Sequence, residues 1–409
     1  MERPNGEDHS PEPGAARRPD GCERIALVLQ GGGALGAYQA GVYQALHEEG
    51  YLPDWLSGVS IGAINSAIIA GNPPERRLER LHTFWDRITS GALPFWTPDG
   101  DDWRRLRNQL AAWQAMVLGQ PGFFAPRPVN PWLQPTGAKG AIGFYDNLPL
   151  RETLLELVDF DLINSRQVRL SVGAVNVRLG NFVYFDNFRQ PIGPEHIMAS
   201  GALPPAFAPV KVDGEYYWDG GIVSNTPLQY LLKMDEGLAT LVFQVDLFSS
   251  QGPLPRDMAN VLARHKDISY SSRTRYTTDV YRRIHDLKQQ IRDLLREKPE
   301  ASLTGAQREL LAEVERSGSF SIVQLIYQQR AYEGEAKDYE FSPTSMREHW
   351  AVGYEDTARS LRCPEFFRLP EGTAIKTHDV HRIRDEGTMS GLAWAGVAGR
   401  LSHSRREEV

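Results

Sequence analysis

The sequence predicts an α/β protein built on a largely parallel sheet with helices on both faces. Two features predict it. The short continuous apolar runs RIALVLQ (24–30) and DWLSGV (54–59) have the length and composition of strands buried on both faces. Each leads through glycine into a segment of helical apolar spacing, and strand–helix–strand–helix alternation marks parallel crossover units.

GAYQAGVYQALHEEG, after the first strand, predicts a helix that stops at Gly50, and IGAINSAIIAGN predicts a buried helix closed by Gly71 and Asn72. ERRLERLHTFWDRIT (75–89) and DWRRLRNQLAAWQAMVLG (102–119) have amphipathic helical spacing. Between and after them ALPFWTPDGDDW and QPGFFAPRPVNPWLQPTG are rich in Pro, Trp and Phe, which reads as a packed irregular excursion before a lid or interfacial surface. LRETLLELVD (150–159) returns to helix, and VRLSVGAVNV (168–177) and NFVYFDN (181–187) are strands joined by an RLG turn. TLVFQVDLF (240–248) is a further buried strand, with which the core sheet is expected to be complete.

Beyond it, DVYRRIHDLKQQIRDLLREK (279–298) predicts an amphipathic helix with Ile284, Leu287, Ile291, Leu294 and Leu295 on the face that packs on the main domain. SIVQLIYQQ (321–329) reads as a late strand and SPTSMREHWAVGYEDTARSL (342–361) as a helix that begins after Pro343. The expected organisation is a disordered arm at 1–22, a main domain at 23–248, a mainly helical region at 249–376 and a flexible tail at 377–409.

A chain of 409 residues with 41% hydrophobic content can fill a sizeable core. Its net charge of −7 gives no global basic field, so nucleic acid is not an expected partner and attraction to anionic lipid must be local. Cys22 and Cys363 form neither a disulfide framework nor a metal-ligand spacing, which fits a reducing cytoplasm. Residues 1–20 lack an apolar signal region and no run approaches the roughly 18 apolar residues of a span, so membrane contact is expected to be peripheral. Nothing in the sequence speaks to oligomeric state.

Gly31, Gly33 and Gly36 spell G-x-G-x-x-G between a strand and a helix, the pattern of a dinucleotide loop. That loop wants an acidic residue at the end of the next strand, and here Asp54 stands at its start. The end is occupied by GVSIG, in which Gly58 and Gly62 flank Ser60 at a strand-to-helix turn, the context of a nucleophile elbow. Taken alone, Ser60 also fits an N-cap serine. A serine nucleophile needs a base. His47, His82, His285 and His349 fall on predicted helices among charged residues and read as surface positions. Asp219, in EYYWDGGIVSNTPL (215–228), follows an aromatic strand and precedes Gly220 and Gly221, where a carboxylate can sit in a cleft; an ordinary Asp-Gly turn is the alternative.

The three motifs in this order, with Asp219 roughly 160 residues after Ser60 and the block ASGALPPAFAPVKVDG (199–214) before it, resemble the patatin-like phospholipase family over about residues 23–248. The resemblance implies a three-layer parallel-sheet fold and a serine acyl hydrolase with Ser60 as nucleophile and Asp219 as base, working through an acyl-enzyme without metal or cofactor. It implies that the loop of Gly31, Gly32, Gly33, Ala34 and Gly36 is the oxyanion hole, with the amides of Gly32, Gly33 and Ala34 as donors. The implied substrate is a lipid or other acyl ester, with intracellular hydroxyacyl polyester as a variant and a non-catalytic scaffold of the same fold as the alternative. Two positions depart from the family pattern: Leu35 stands where many members carry arginine, and Gln30 where aspartate or serine is common. Leu35 weakens the case for a phospholipid more than the case for hydrolysis.

RTRYTTDVYRRIHDL, IYQQRAYEGEAKDYEFS and HWAVGYEDT are similar to a C-terminal region of some bacterial patatin-like proteins that has no assigned role. This region is expected to be dispensable for the Ser–Asp pair. Its basic cluster of Arg273, Arg275, Arg282 and Arg283 reads as a solvated helix face before a contact for lipid head groups or an acidic partner.

Overall fold

The computed structural model describes residues 17–92, 100–330 and 332–380, apart from the side chains at 272–275 and 277. The first half of the chain runs β1 (Arg24–Leu29), α1 (Ala37–Glu48), β2 (Trp55–Val59), α2 (Ile61–Ala70), α3 (Pro74–Thr89), α4 (Asp101–Leu118), β3 (Ala125–Pro126), β4 (Tyr145–Asp146), α5 (Leu148–Leu157), α6 (Phe160–Asn164), β5 (Arg169–Asn176) and β6 (Phe182–Asp186). It continues through α7 (Pro194–Ser200), β7 (Val210–Val212), β8 (Glu215–Asp219), α8 (Leu228–Lys233), β9 (Thr240–Asp246), α9 (Met258–Arg296), α10 (Gly305–Glu315), β10 (Phe320–Ile326), α11 (Pro343–Ser360) and β11 (Ile375–Asp379). Nine of these strands form one sheet in the order β11-β10-β9-β1-β2-β5-β8-β7, with β6 beside β5. From β11 to β5 every pairing is parallel, and β6, β7 and β8 add the antiparallel part.

Both sheet faces are covered, as the apolar runs require. Along β1, Ile25, Leu27 and Leu29 join a large core cluster with α1, α2 and α3, while Ala26 and Val28 point into a smaller cluster that includes Leu228, Leu231 and Leu232 of α8. Period-two alternation thus serves two cores, which is why the sequence shows an unbroken apolar run.

Three expectations are corrected. The sheet does not end at 248: β10 pairs in parallel with β9 along its whole length, from Phe320↔Thr240 to Ile326↔Asp246, and β11 pairs with β10. β11 also occupies the start of the expected tail; the rest of it, 381–409, and residues 1–16 of the expected arm lie outside the described residues. Within the arm, Arg18 forms a two-pronged bond to Asp54 at 2.8 and 2.6 Å, and Cys22 is buried.

The second correction concerns α9, which starts at Met258 and not at the expected Asp279. Of that stripe Leu295 is buried, whereas Ile284, Leu287 and Leu294 are exposed. The inward face carries Ala263, Asp267, Ser271, Thr278 and His285, too polar to stand out as an apolar period.

The third concerns the histidines. His285 and His349 are buried, His285 against the Thr373 carbonyl (2.8 Å) and His349 against Glu333 (2.7 Å), while His47 is half-buried and His82 stacks at the surface on Trp350. α11 itself lies on α1 so closely that a Cβ on Gly41 would strike the Trp350 carbonyl and one on Gly353 the Tyr38 carbonyl. The aromatic excursion divides: Phe123 and Phe124 pack inward, Trp132 and Leu133 are exposed, and Leu93 to Asp99 lie outside the described residues. The side chains of Arg273 and Arg275 lie outside them as well; Arg282 bonds Asp279 and Thr377, and Arg283 is exposed.

Candidate active site

Ser60 occupies the turn between β2 and α2 at φ 55° and ψ −124°. Such a backbone costs a non-glycine residue about 1–3 kcal/mol, so neighbouring groups must enforce it. The Ser60 amide donates to Ser200 Oγ (2.9 Å), and that hydroxyl donates to the Gly173 carbonyl of β5 (2.6 Å). A Cβ on Gly62 would lie 2.3 Å from the Leu29 carbonyl oxygen, so glycine is needed to bring the first turn of α2 against β1. The serine hydroxyl therefore stands at the N-terminus of α2, where the helix dipole favours negative charge.

β5 explains how Asp219 reaches Ser60. β2 pairs with β5 up to Val59↔Gly173, and one position on Ala174 pairs with Asp219 of β8. β6 holds the opposite edge of β5, so β8 takes over the edge that β2 leaves. The chain departs from β2 at Ser60 just where β8 ends. The Ser60 hydroxyl is a hydrogen-bonding neighbour of the Asp219 carboxyl, and Asp219 Oδ1 also accepts the Gly221 amide at 2.7 Å. Asp219 is 2% exposed. Burial pushes its carboxyl up to about 6, against the lowering effect of the bonds from Ser60 and Gly221.

The glycine loop runs beside this pair, close enough that a Cβ on Gly31 would lie 3.0 Å from Ser60 Cβ. Its amides are not equivalent. Gly31 donates to the Asn225 carbonyl (3.2 Å) while Asn225 Nδ2 returns a bond to the Gly31 carbonyl (2.9 Å). Ala34 donates to the Asp338 carbonyl (2.8 Å), so the expectation that it offers a donor to a ligand is corrected. Gly36 is buried against Ile61 and Trp85. Among the described residues no acceptor faces the amides of Gly32 and Gly33. Gly33, at φ 54°, must be glycine twice over, since a Cβ there would lie 2.0 Å from the Asp338 carbonyl oxygen. Gly58, Gly220 and Gly221 shape the two flanking turns, with Asp219 capping the turn at Gly220–Ile222.

Neither departure from the motif lines the cavity, although Gln30 holds two residues that do, Tyr270 and Phe248. Leu35 is fully buried in the core. Gln30 ties three segments together, its amide nitrogen donating to Thr226 Oγ1 (3.0 Å) and to the Tyr270 carbonyl within α9 (3.2 Å), its oxygen accepting from Phe248 N just after β9 (3.0 Å).

Ser60, Asp219, Gly32 and Gly33 line one cavity of about 280 Å³ whose walls are largely aromatic: Phe123, Phe124, Tyr145, Phe207, Tyr270 and Phe341. No histidine lines it among the described residues. Burial, with Asp338 and Asp219 nearby, pushes the Tyr270 hydroxyl up to about 12, so it stays protonated. Tyr270, Asp338, Tyr339 and Phe341 come from the region beyond 249, so this region, which the sequence marks only as dispensable for the Ser–Asp pair, supplies part of the cavity wall. Sequence reasoning singled out none of these, nor Asn225 and Ser200. The last two lie inside the quoted blocks DGGIVSN and ASG, and Asp338, Tyr339 and Phe341 inside IYQQRAYEGEAKDYEFS; Tyr270 lies in no quoted block.

A family model described as patatin-like phospholipase matches residues 27–232, and a second, described as patatin phospholipase, matches residues 268–372. The chain is 27% identical over 248 residues to an uncharacterized NTE family protein of Mycobacterium tuberculosis, covering 60% of this chain and 56% of that one. It is 36% identical over 95 residues to a patatin-like phospholipase domain-containing protein of Caenorhabditis elegans, 23% of this chain and 6% of the nematode protein. A 50-residue stretch is 52% identical to a lysophospholipase of Aspergillus terreus, 12% of this chain and 3% of the fungal protein. The chain thus spans little more than half, or far less, of the length of these relatives. Among solved structures it is similar to VipD from Legionella pneumophila, with a TM-score of 0.36 and 18% identity over 83% of this chain and 67% of that one.

Proposed function

The chain belongs to the patatin-like phospholipase family, which implies hydrolysis of lipid esters, and on that premise we propose a serine acyl hydrolase that works through Ser60 and Asp219. One observation carries the proposal: a serine forced into a strained turn beside a buried carboxyl, in an apolar cavity that also presents two unengaged amides. Ser60 Oγ attacks the ester carbonyl carbon as its proton passes to Asp219. The amides of Gly32 and Gly33 hold the tetrahedral oxyanion, each such donor being worth about 10²–10³ in rate. Collapse expels the alcohol, which takes the proton from Asp219 and leaves the acyl group on Ser60. Water then repeats the sequence and frees the acid. The raised carboxyl suits both roles, since a base that titrates near neutrality returns its proton readily.

The aromatic cavity suits an acyl chain. α4 carries Trp103, Leu106, Leu110, Trp113 and Val117 at three- and four-residue spacing, all exposed, and Met116 of the same helix lines the cavity. An apolar stripe leading to the site suits peripheral contact with a lipid surface. Among the described residues no helix is long and apolar enough to cross a membrane.

The test is purified protein with p-nitrophenyl esters and a fluorophosphonate probe. Wild type is expected to hydrolyse the esters and take the label on Ser60, and Ser60→Ala to do neither. A folded wild type that neither labels nor hydrolyses would point instead to a non-catalytic scaffold. A lipidomic comparison of wild type with Ser60→Ala then identifies the head group and acyl chain.

A further inference from the structure

The segment before α11 lays the Asp338 carbonyl against Gly33 and Ala34 of the glycine loop, and α9 anchors that segment. Two adjacent pairs do the anchoring. Lys266 of α9 donates to Asp338 Oδ1 (2.8 Å) and to the Glu335 carbonyl (2.7 Å). Its neighbour Asp267 accepts from Lys337 Nζ (2.6 Å), which also donates to Gln329 Oε1 (2.9 Å). Lys-Asp on the helix thus grips Lys-Asp on the loop in opposite order, so each lysine meets an aspartate. The Lys337–Asp267 pair is nearly excluded from water, at 2% and 10% side-chain exposure. Buried opposite charges tolerate little displacement, and such pairs are best attested as devices that fix register. What the register fixes here is the carbonyl of Asp338, which accepts the Ala34 amide and sits over Gly33.

We propose that this crossed lysine–aspartate clasp makes Asp338 and Lys266 positioning residues for the oxyanion loop, so that the region beyond 249 is a working part of the active site. The proposal rests on the serine acyl hydrolase reading. By holding Ala34, the Asp338 carbonyl sets the turn that leaves the amides of Gly32 and Gly33 aimed into the cavity. The same loop carries Tyr339 and Phe341 in the cavity wall, where Phe341 is held separately by packing on Phe123 and Phe124, ring centres 5.7 and 6.3 Å apart. With the clasp loosened, the nucleophile and base keep their places, which β2, β5 and β8 set independently, and only the oxyanion donors drift. The transition state is then weakened more than substrate binding.

The experiment compares Lys266→Met, Lys266→Arg and wild type by ester kinetics and by the rate of fluorophosphonate labelling. The Lys266–Asp338 pair is partly exposed, at 23% and 19%, which favours a folded variant. Lys266→Met is expected to lose about tenfold or more in kcat with KM within about twofold, to label Ser60 correspondingly slowly, and Lys266→Arg to recover most of the loss. Should Lys266→Met fail to fold, Asp338→Asn, which keeps the backbone carbonyl and removes the charge, carries the same criteria. A kcat within twofold of wild type, a loss confined to KM, or a loss that arginine does not rescue overturns the clasp. Wild type that neither labels nor hydrolyses overturns the hydrolase reading instead, so the two failures are distinct.

Discussion

Replacing Asp219 by asparagine should make the protein more stable while removing its activity. The carboxyl is 2% exposed and titrates at about 6 instead of its ordinary 3.8, because burial penalises the charge more than the bonds from Ser60 and Gly221 compensate. A folded-state value above the unfolded one means that the stability the group contributes is fully present below the unfolded value and lost as pH rises through the folded value. At 1.36 kcal/mol per unit the loss is about 3 kcal/mol above pH 7 and about half of that at pH 5. The asparagine side chain still accepts the Gly221 amide but carries no charge, so the variant escapes the loss. The expected result is that Asp219→Asn melts above wild type at pH 8, with the gap narrowing toward pH 5, while ester hydrolysis falls about 10²–10⁴-fold or more. Thermal unfolding by circular dichroism at pH 5, 6, 7 and 8 measures it. A variant no more stable than wild type at pH 8, or a gap that does not change with pH, would refute the reasoning.

Wild-type kcat/KM should rise with pH through about 6 as Asp219 ionises, and a profile flat down to pH 5 would remove it as the base. Gly62→Ala should unfold or grossly destabilise the protein, since the added methyl meets the Leu29 carbonyl at 2.3 Å with backbone on both sides; Gly305→Ala, with nothing within 4 Å, is the neutral control in the same melting assay. Leu110→Ser with Trp113→Ser should depress activity on phospholipid vesicles at least about tenfold more than activity on a water-soluble ester, since each exposed side chain can contribute about 1.5–3 kcal/mol when a lipid surface covers it. Equal effects on both substrates would mean that α4 does not meet the membrane.

How legible these features were follows from how local their causes are. Ser60 stands out because a tight strand-to-helix turn needs Gly58 and Gly62 within two residues of it. Asp219 stands out less by itself than by its order after the other motifs, yet the reason it reaches Ser60 is the handover of one edge of β5 from β2 to β8, a register that no local pattern encodes. Ala34 misled because its amide has an acceptor about 300 residues away. The inward face of α9 was hidden for a related reason: Asp267, Ser271, Thr278 and His285 are buried with polar partners, so burial and hydrophobicity part company along that helix.

The same contrast bears on where the working unit ends. β9 reads as the last strand of a finished sheet because the sequence after it turns charged and helical, but a parallel strand buried on both faces also needs hydrogen-bonding partners on both edges, and β10 supplies the second. α11 covers the outer side of α1, and the loop that leads into it occupies the amide of Ala34 and walls the cavity. Each of these contacts fills a vacancy that the first 248 residues leave: an unpaired strand edge, a bare helix and an unsatisfied donor. The positions of Ser60 and Asp219 are set by the first part of the chain, while the glycine loop and the aromatic cavity also take contacts from the second. Differences in substrate choice between this chain and relatives that match only its first part are therefore to be sought between Tyr270 and Phe341 before the serine motif.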